Sequence, residues 1–240
     1  MRGVRGGPEG PPQVRGPAPK IISHRGLCRR TARSPRVGEN TMAAFAAGIE
    51  ALWDMEFAPA IEFDVRRAAD GRLVIIHDAT LRRTTGLRGR VARWTSGELA
   101  ELGIPLLTDV FDYLPGVEFH IELKERGLAR EVKNVVLGRG LEDRAIVSSF
   151  LWRELAVMSP EVRFALTSGM PTRRMVRTAV EMGAWAIHPA HGRTTRTLVG
   201  AAHSAGLRVN AWTVNTKMAY RRMERLGVDG VFSDNPRLLT

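Results

Sequence analysis

From Lys20 onward the chain alternates short apolar runs with longer amphipathic stretches. The runs are residues 21–24, 61–65, 117–123, 145–149, 162–166, 184–188, 207–213 and 230–233. They have strand length, and their near-continuous apolar character suits strands covered on both faces. After the first run, Phe45, Ile49, Leu52 and Trp53 recur at helical spacing behind a capping Asn40 or Thr41. Residues 127–137, about 151–158, 172–182, 194–205 and 216–226 are further predicted helices. Eight strands alternating with helices predict an α/β fold, a (β/α)8 TIM barrel, in preference to an open sheet.

One segment breaks the count. Residues 73–77 follow the second strand after a link too short for a crossover helix, which needs about a dozen residues. Asp70-Gly71 is a hairpin turn signal. The chain is therefore expected to add a β-hairpin extension after strand 2, running antiparallel to it. That hairpin brings His77 back opposite Glu62 or Phe63.

Composition narrows the class. Residues 1–19 are dominated by Gly, Pro and Arg without apolar periodicity, and are expected to be a disordered tail ahead of a folded domain at 20–240. No apolar run approaches the ~18 residues of a membrane helix. Arg2, Arg5 and Arg15 are not followed by the apolar core of a secretion leader. The single cysteine, Cys28, excludes an internal disulfide, and a cytoplasmic protein is expected. The net charge is +11, yet only 4 of the 36 basic residues are lysine and the arginines are spread along the chain. A nucleic-acid binder would gather them into a stripe with interleaved aromatics. An arginine-biased solvated surface is the simpler expectation, a positive field that attracts anionic substrates or membrane surfaces the alternative.

The candidate chemistry sits at strand ends. His24 closes the first strand. Glu62 and Asp64, two apart, share a face of the second, as Glu122 and Lys124 do on the third. In this barrel class, sites form at the C-terminal strand ends. Each histidine taken alone is as readily structural, and Glu62 and Asp64 could be exposed strand residues. Convergence changes the weighting, because adjacent carboxylates repel unless a cation or arginine neutralises them. Three converging carboxylates suit one hard divalent cation, Mg²⁺ or Ca²⁺. His24 and His77 make an acid and a base. Arg25 could grip a phosphate as a fork and Lys124 as a point charge. Together these residues read as metal-assisted phosphoester chemistry.

They also stand in a longer ordered series: His24-Arg25-Gly26, Glu39-Asn40-Thr41, Glu62-Phe63-Asp64-Val65, Asp70-Gly71, His77-Asp78-Ala79-Thr80-Leu81 and Arg83-Thr84-Thr85-Gly86. Ile121-Glu122-Leu123-Lys124, Trp212-Thr213-Val214-Asn215 and Gly230-Val231-Phe232-Ser233-Asp234-Asn235-Pro236 follow. The series, spanning residues 21–236, resembles the glycerophosphodiester phosphodiesterase family of phospholipase-C-like barrels. The resemblance implies that Glu62, Asp64 and Glu122 bind the cation, that His24 and His77 are general acid and base, and that Arg25 and Lys124 contact the phosphate. It implies hydrolysis of a small-molecule glycerophosphodiester to glycerol 3-phosphate and an alcohol. The glycerol 2-hydroxyl would attack phosphorus, and water would open the resulting cyclic phosphate.

Glu39 is expected to orient His24 or another group at the site, against a plain helix N-terminal acid. Trp212 is expected to wall the glycerol or leaving group, against a place in the barrel core. His120 reads as a polar filler of the interior and His188 as a substrate contact near the rim. Ser148, Ser149 and Phe150 are candidate pocket lining, and His191 and His203 surface residues. Residues 27–38 are longer than the family's usual link and carry Arg29, Arg30, Arg33 and Arg36, which would favour anionic headgroups. Gly38 stands where a proline often does. The short 87–108 segment predicts an open site. A sibling enzyme that stops at the cyclic phosphate or acts on lysophospholipids, and an idle phosphate-binding barrel, are the alternatives.

Overall fold

The computed structural model describes residues 18–27, 29–31 and 34–239, without the side chains of 29–31 and 34–37. The expected tail at 1–17 and the side chains of Arg29, Arg30, Arg33 and Arg36 lie outside the described residues. Pro19, assigned to that tail, is buried, and its carbonyl accepts a hydrogen bond from Tyr220 Oη at 3.3 Å.

Eight parallel strands close a barrel: β1 (Lys20–His24), β4 (Ala60–Arg67), β6 (Glu118–Leu123), β7 (Ala145–Ser149), β8 (Arg163–Ser168), β9 (Ala186–Pro189), β10 (Arg208–Ala211) and β11 (Gly230–Ser233). Strand β11 returns to β1 with Ile22 beside Phe232, and β1 meets β4 with His24 beside Glu62. The numbering gap holds a small antiparallel pair, β2 (Arg29–Thr31) and β3 (Ser34–Val37), in the basic link expected as a loop. The crossovers use α1 (Met42–Asp54), α5 (Ala129–Gly138), α6 (Arg173–Met182), α7 (Arg196–Ser204) and α8 (Lys217–Leu226). Thr41, Thr195 and Thr216 cap α1, α7 and α8 by accepting from backbone N–H groups inside the first turn.

Alternation along the strands sorts the side chains into two compartments. Ile21, Ile61, Phe63, Val65, Phe119, Ile121, Val147, Phe164, Ile187 and Val231 point outward into one core shared with the helices. Within it, Phe45, Phe63, Phe111 and Phe119 stack with centroids 4.8–6.3 Å apart. Truncating Phe63 to alanine there should cost about 3–5 kcal/mol. The intervening residues face the barrel axis, which sends His24, Glu62, Asp64, Glu122 and Ser148 to its C-terminal mouth.

The hairpin extension is present. β5 (Leu73–Ile75) runs antiparallel to β4, pairing Val65 with Ile75 and Arg67 with Leu73. This register carries His77 towards Phe63, and Arg66 Nε fixes its carbonyl with a 2.8 Å hydrogen bond. Beyond it lie α2 (Arg82–Thr85), α3 (Ser96–Glu101) and α4 (Leu107–Tyr113), which sequence periodicity did not predict. Ala68, Val74, Ile76, Leu81, Val91, Leu99 and Ile104 give this region a core of its own. A second difference concerns residues 151–158, where the expected helix is a 3-10 segment, Trp152–Val157. Trp152 Nε1 donates to the Thr167 carbonyl at 2.9 Å, tying this segment to β8, and Pro160 bars helix from continuing past residue 158. No helix among the described residues is long and apolar enough to cross a membrane.

Candidate active site

The turn after β1 is built for close approach. Arg25 and Gly26 both take left-handed backbone, φ 58° and 79°. A Cβ on Gly26 would lie 2.4 Å from the Ala44 carbonyl carbon, so only glycine lets α1 pack so near. Arg25 N donates to Glu62 O at 2.8 Å and Leu27 N to Ala44 O at 2.8 Å. His24 and Arg25 are thereby fixed against β4 and α1.

Asp64 sits beside Glu122 in the β4–β6 register. Glu62, Asp64 and Glu122 each offer an oxygen within 4.8 Å of the others. Glu62 and Asp64 are buried, yet among the described residues neither oxygen of Glu62 receives a hydrogen bond. Asp64 Oδ2 accepts from Asn40 Nδ2 at 2.8 Å and meets Arg25 Nε at 3.0 Å. Its Oδ1 lies 3.4 Å from Lys124 Nζ and has no hydrogen bond among the described residues. Lys124 donates to Glu122 Oε1 at 2.5 Å. Burial and the Asp64 charge push the Glu62 carboxyl up to about 8 and raise Glu122 as well. Burial acts on Asp64 in the same sense, but Arg25 and Lys124 outweigh it and hold its carboxyl down. Buried oxygens without donors are a deficit of positive charge. An all-oxygen donor set of this kind fits a hard divalent cation.

The two histidines flank this cluster, each backed by an aspartate. His24 Nδ1 donates to Asp234 Oδ1 at 2.6 Å, and His77 Nδ1 to Asp78 Oδ1 at 2.6 Å. An ionised carboxylate only accepts, so both rings carry their proton on Nδ1 and leave Nε2 for chemistry. His24 Nε2 stands 3.7 Å from Glu62 Oε2. Asp234 is itself held by Asn215, through Nδ2 to Oδ2 at 2.7 Å and Oδ1 to its backbone N–H at 2.9 Å.

Glu39 lies against Arg25 and Arg83. It meets Arg25 Nη1 at 3.2 Å and takes a fork from Arg83, Nη1 at 2.6 Å and Nη2 at 2.7 Å, rather than touching His24. Arg83 also forks onto Asp78, at 2.6 and 3.0 Å. A chain of ionised groups thus runs from Arg25 through Glu39, Arg83 and Asp78 to His77.

These groups open onto a cavity of about 140 Å³, lined by His24, Arg25, Glu62, His77, Glu122 and Lys124 on one side and by Ser148, Phe150, Thr167, His188, Trp212, Thr213 and Phe232 on the other. No residue of 87–108 is among them. Trp212 is a partly exposed wall, edge-on to Phe150 at 5.5 Å and anchored by Nε1 to the His188 carbonyl at 2.8 Å. Ser149 faces away from the cavity and donates to Leu123 O at 2.8 Å. His120 lies deeper in the interior, bonded to Glu118 Oε1 at 2.9 Å and edge-on to Phe232. His191 is half-buried, and exposed His203 pairs with Asp229 at 2.9 Å.

Sequence reasoning gave no role at the site to Asp234, Asp78, Arg83, Asn40 or Thr167; Asn40 was offered only as a helix cap, which Thr41 provides instead. The first four were in view inside the quoted motifs, but only the folded chain pairs Asp234 with a histidine 210 positions earlier. Thr167 lay in no motif.

Known proteins resemble the chain over nearly its whole length. Residues 24–238 match the glycerophosphoryl diester phosphodiesterase family. The chain is 31% identical to a glycerophosphodiester phosphodiesterase of Caldanaerobacter subterraneus subsp. tengcongensis, over 91% of this chain and 95% of the relative. It is also 31% identical to one from Bacillus altitudinis, over 90% and 95% of the two chains. Among solved structures, a glycerophosphodiester phosphodiesterase from Agrobacterium tumefaciens str. C58 superposes with a TM-score of 0.74 at 29% identity, covering 92% of this chain and 98% of that one.

Proposed function

Since the chain belongs to the glycerophosphoryl diester phosphodiesterase family, we propose that it hydrolyses glycerophosphodiesters to glycerol 3-phosphate and an alcohol. One observation carries the reading: unmet carboxylate oxygens of Glu62 and Asp64, with Glu122 beside them, lie between two aspartate-backed histidines and two cations.

Glu62, Asp64 and Glu122 would hold one divalent cation, Mg²⁺ or Ca²⁺. When bound, it supplies positive charge to a phosphoryl oxygen and lowers the pKa of a nearby hydroxyl. Arg25 and Lys124 bind the diester anion. Arg25 pairs with Asp64 and Glu39, and Lys124 with Asp64 and Glu122, so both are held in place before substrate arrives. One histidine takes the proton of the attacking glycerol 2-hydroxyl at Nε2. The other, protonated on both nitrogens, gives its Nε2 proton to the leaving oxygen, and the roles reverse as water opens the cyclic phosphate. Each contributes roughly 10²–10⁴-fold. Asp234 and Asp78 keep the imidazoles in the required tautomer, and Trp212 walls off the organic part of the ester. The single cysteine suits a reducing compartment, and we assign the enzyme to the cytoplasm.

The test is glycerol 3-phosphate release from glycerophosphocholine and glycerophosphoethanolamine with Mg²⁺, Ca²⁺ or chelator, with Glu62→Ala as control. Release that disappears on chelation and in the variant is the expected result. Cyclic phosphate accumulating without glycerol 3-phosphate would replace hydrolysis by cyclisation. No turnover with any cation would refute the assignment.

A further inference from the structure

The cavity has two unlike walls. Strands β1, β4 and β6 line one with ions. Across the barrel, β7, β8 and β9 line the other with Ser148, Thr167 and His188, three uncharged polar residues exposed by 3%, 4% and 2%.

Their hydrogen-bonding capacity is largely unspent. Thr167 Oγ1 is enclosed and has no hydrogen-bond partner among the described residues, although the Thr167 carbonyl is anchored by Trp152 Nε1 at 2.9 Å. Ser148 Oγ makes no hydrogen bond among the described residues, whereas the next serine, facing outward, is satisfied at 2.8 Å. Asn210 Nδ2 stands 3.4 Å from His188 Nε2. With the tautomer assigned from that contact, Nε2 accepts and Nδ1–H remains a donor without a partner among the described residues. Burial beside His120 holds the His188 ring neutral. Enclosing an unmet polar group such as Thr167 Oγ1 costs stability, and three polar side chains with spare hydrogen-bonding capacity, on consecutive strands facing one cavity, are a built feature rather than a lapse in packing.

Neutral donors and acceptors suit neutral hydroxyls, and the wall adjoins the ionic one, because Ser148 lies beside Glu122 in register. A diester whose phosphoryl group is held by Arg25 and Lys124 extends its carbon chain across the cavity to this wall. We propose that Ser148, Thr167 and His188 form a hydroxyl-recognition subsite that binds a free hydroxyl of the ester, distinct from the hydroxyl that attacks phosphorus. The subsite rests on the hydrolase reading above. The hydroxyl comes either from the terminal carbon of the glycerol unit or from the leaving alcohol.

Three substrates separate the sources: glycerophosphocholine, 2-hydroxypropyl phosphocholine and 2-hydroxypropyl 4-hydroxybutyl phosphate. All keep the attacking hydroxyl. The second lacks any other, and the third carries one more only on the leaving alcohol, too remote from phosphorus to close a five-membered ring. Wild-type kcat/KM is expected to fall at least about tenfold from the first to the second, because the analogue leaves the subsite unmet. Thr167→Val and Ser148→Ala should shrink that gap by slowing glycerophosphocholine alone. Recovery of rate with the third substrate, lost again in Thr167→Val, would support the subsite with the leaving alcohol as source. Thr167→Val should also keep or raise the thermal midpoint, since it deletes an unmet hydroxyl without changing shape. Equal wild-type rates on the first two substrates without recovery on the third would overturn the subsite. So would a lower midpoint in Thr167→Val with uniform loss on all three. No cleavage of any substrate by the wild type would refute instead the hydrolase reading beneath it.

Discussion

Glu62 and Glu118 lie on neighbouring strands, face the same barrel interior and sit at its opposite ends. At the N-terminal end, Lys20 Nζ meets Glu118 at 2.8 Å and His120 Nε2 meets it at 2.9 Å. Burial alone would raise Glu118, but these two partners hold its carboxyl down at about 2. At the C-terminal end Glu62 has no donor among the described residues, and burial with the Asp64 charge lifts it to about 8. One residue type in one compartment is satisfied where it supports the fold and left wanting where a ligand is needed. The difference locates the site without reference to any relative.

The comparison is broken most severely at the unsatisfied end. Glu62→Ala should reduce turnover at least about 10³-fold, whereas Glu118→Gln should leave it within about twofold; a comparable loss in both would erase the distinction. Next in size are the histidines. His24→Ala and His77→Ala should each lower kcat by roughly 10²–10⁴-fold, measured with cation saturating so that binding and chemistry are separated.

Smaller again is the support behind them. Asp234→Asn should lose about 10–10²-fold in kcat and distort the pH–rate profile, because an amide no longer enforces the Nδ1–H tautomer of His24. An unchanged profile would reduce Asp234 to packing.

The smallest effect sharpens the satisfied end. A carboxyl whose folded pKa is depressed adds stability that is present above its unfolded value and is lost as pH falls through the folded one. For Glu118 that window runs from about 4.5 down to about 2. Chemical denaturation should therefore show the wild type losing stability across that window more steeply than Glu118→Gln; parallel curves would contradict the pairing.

Much of this was legible in the residue order. Strand period places Glu62 with Asp64 and Glu122 with Lys124, and the short link with Asp70-Gly71 yields the hairpin that returns His77. What periodicity misses has physical reasons. Helix α4 is only seven residues long, too short for an amphipathic pattern to stand out. The Trp152–Val157 segment reads as a helix from composition, but a long-range bond from Trp152 to strand β8 and the nearby Pro160 decide otherwise. Asp234 becomes the partner of His24 only when β11 closes on β1, and no local signal announces a contact made by barrel closure. The partners of Glu39 could not be named from the residue order, because Arg83 reaches it from the hairpin extension.

The central claim is that Glu62, Asp64 and Glu122 hold a divalent cation, and thermal unfolding tests it without any substrate. With Mg²⁺ or Ca²⁺ titrated into wild type and Glu62→Gln, binding to the folded state should raise the wild-type midpoint progressively, by about 2.7 kcal/mol of stability at a hundredfold excess over Kd. The variant should shift little. A wild-type midpoint indifferent to both ions, or an equal rise in Glu62→Gln, would contradict it.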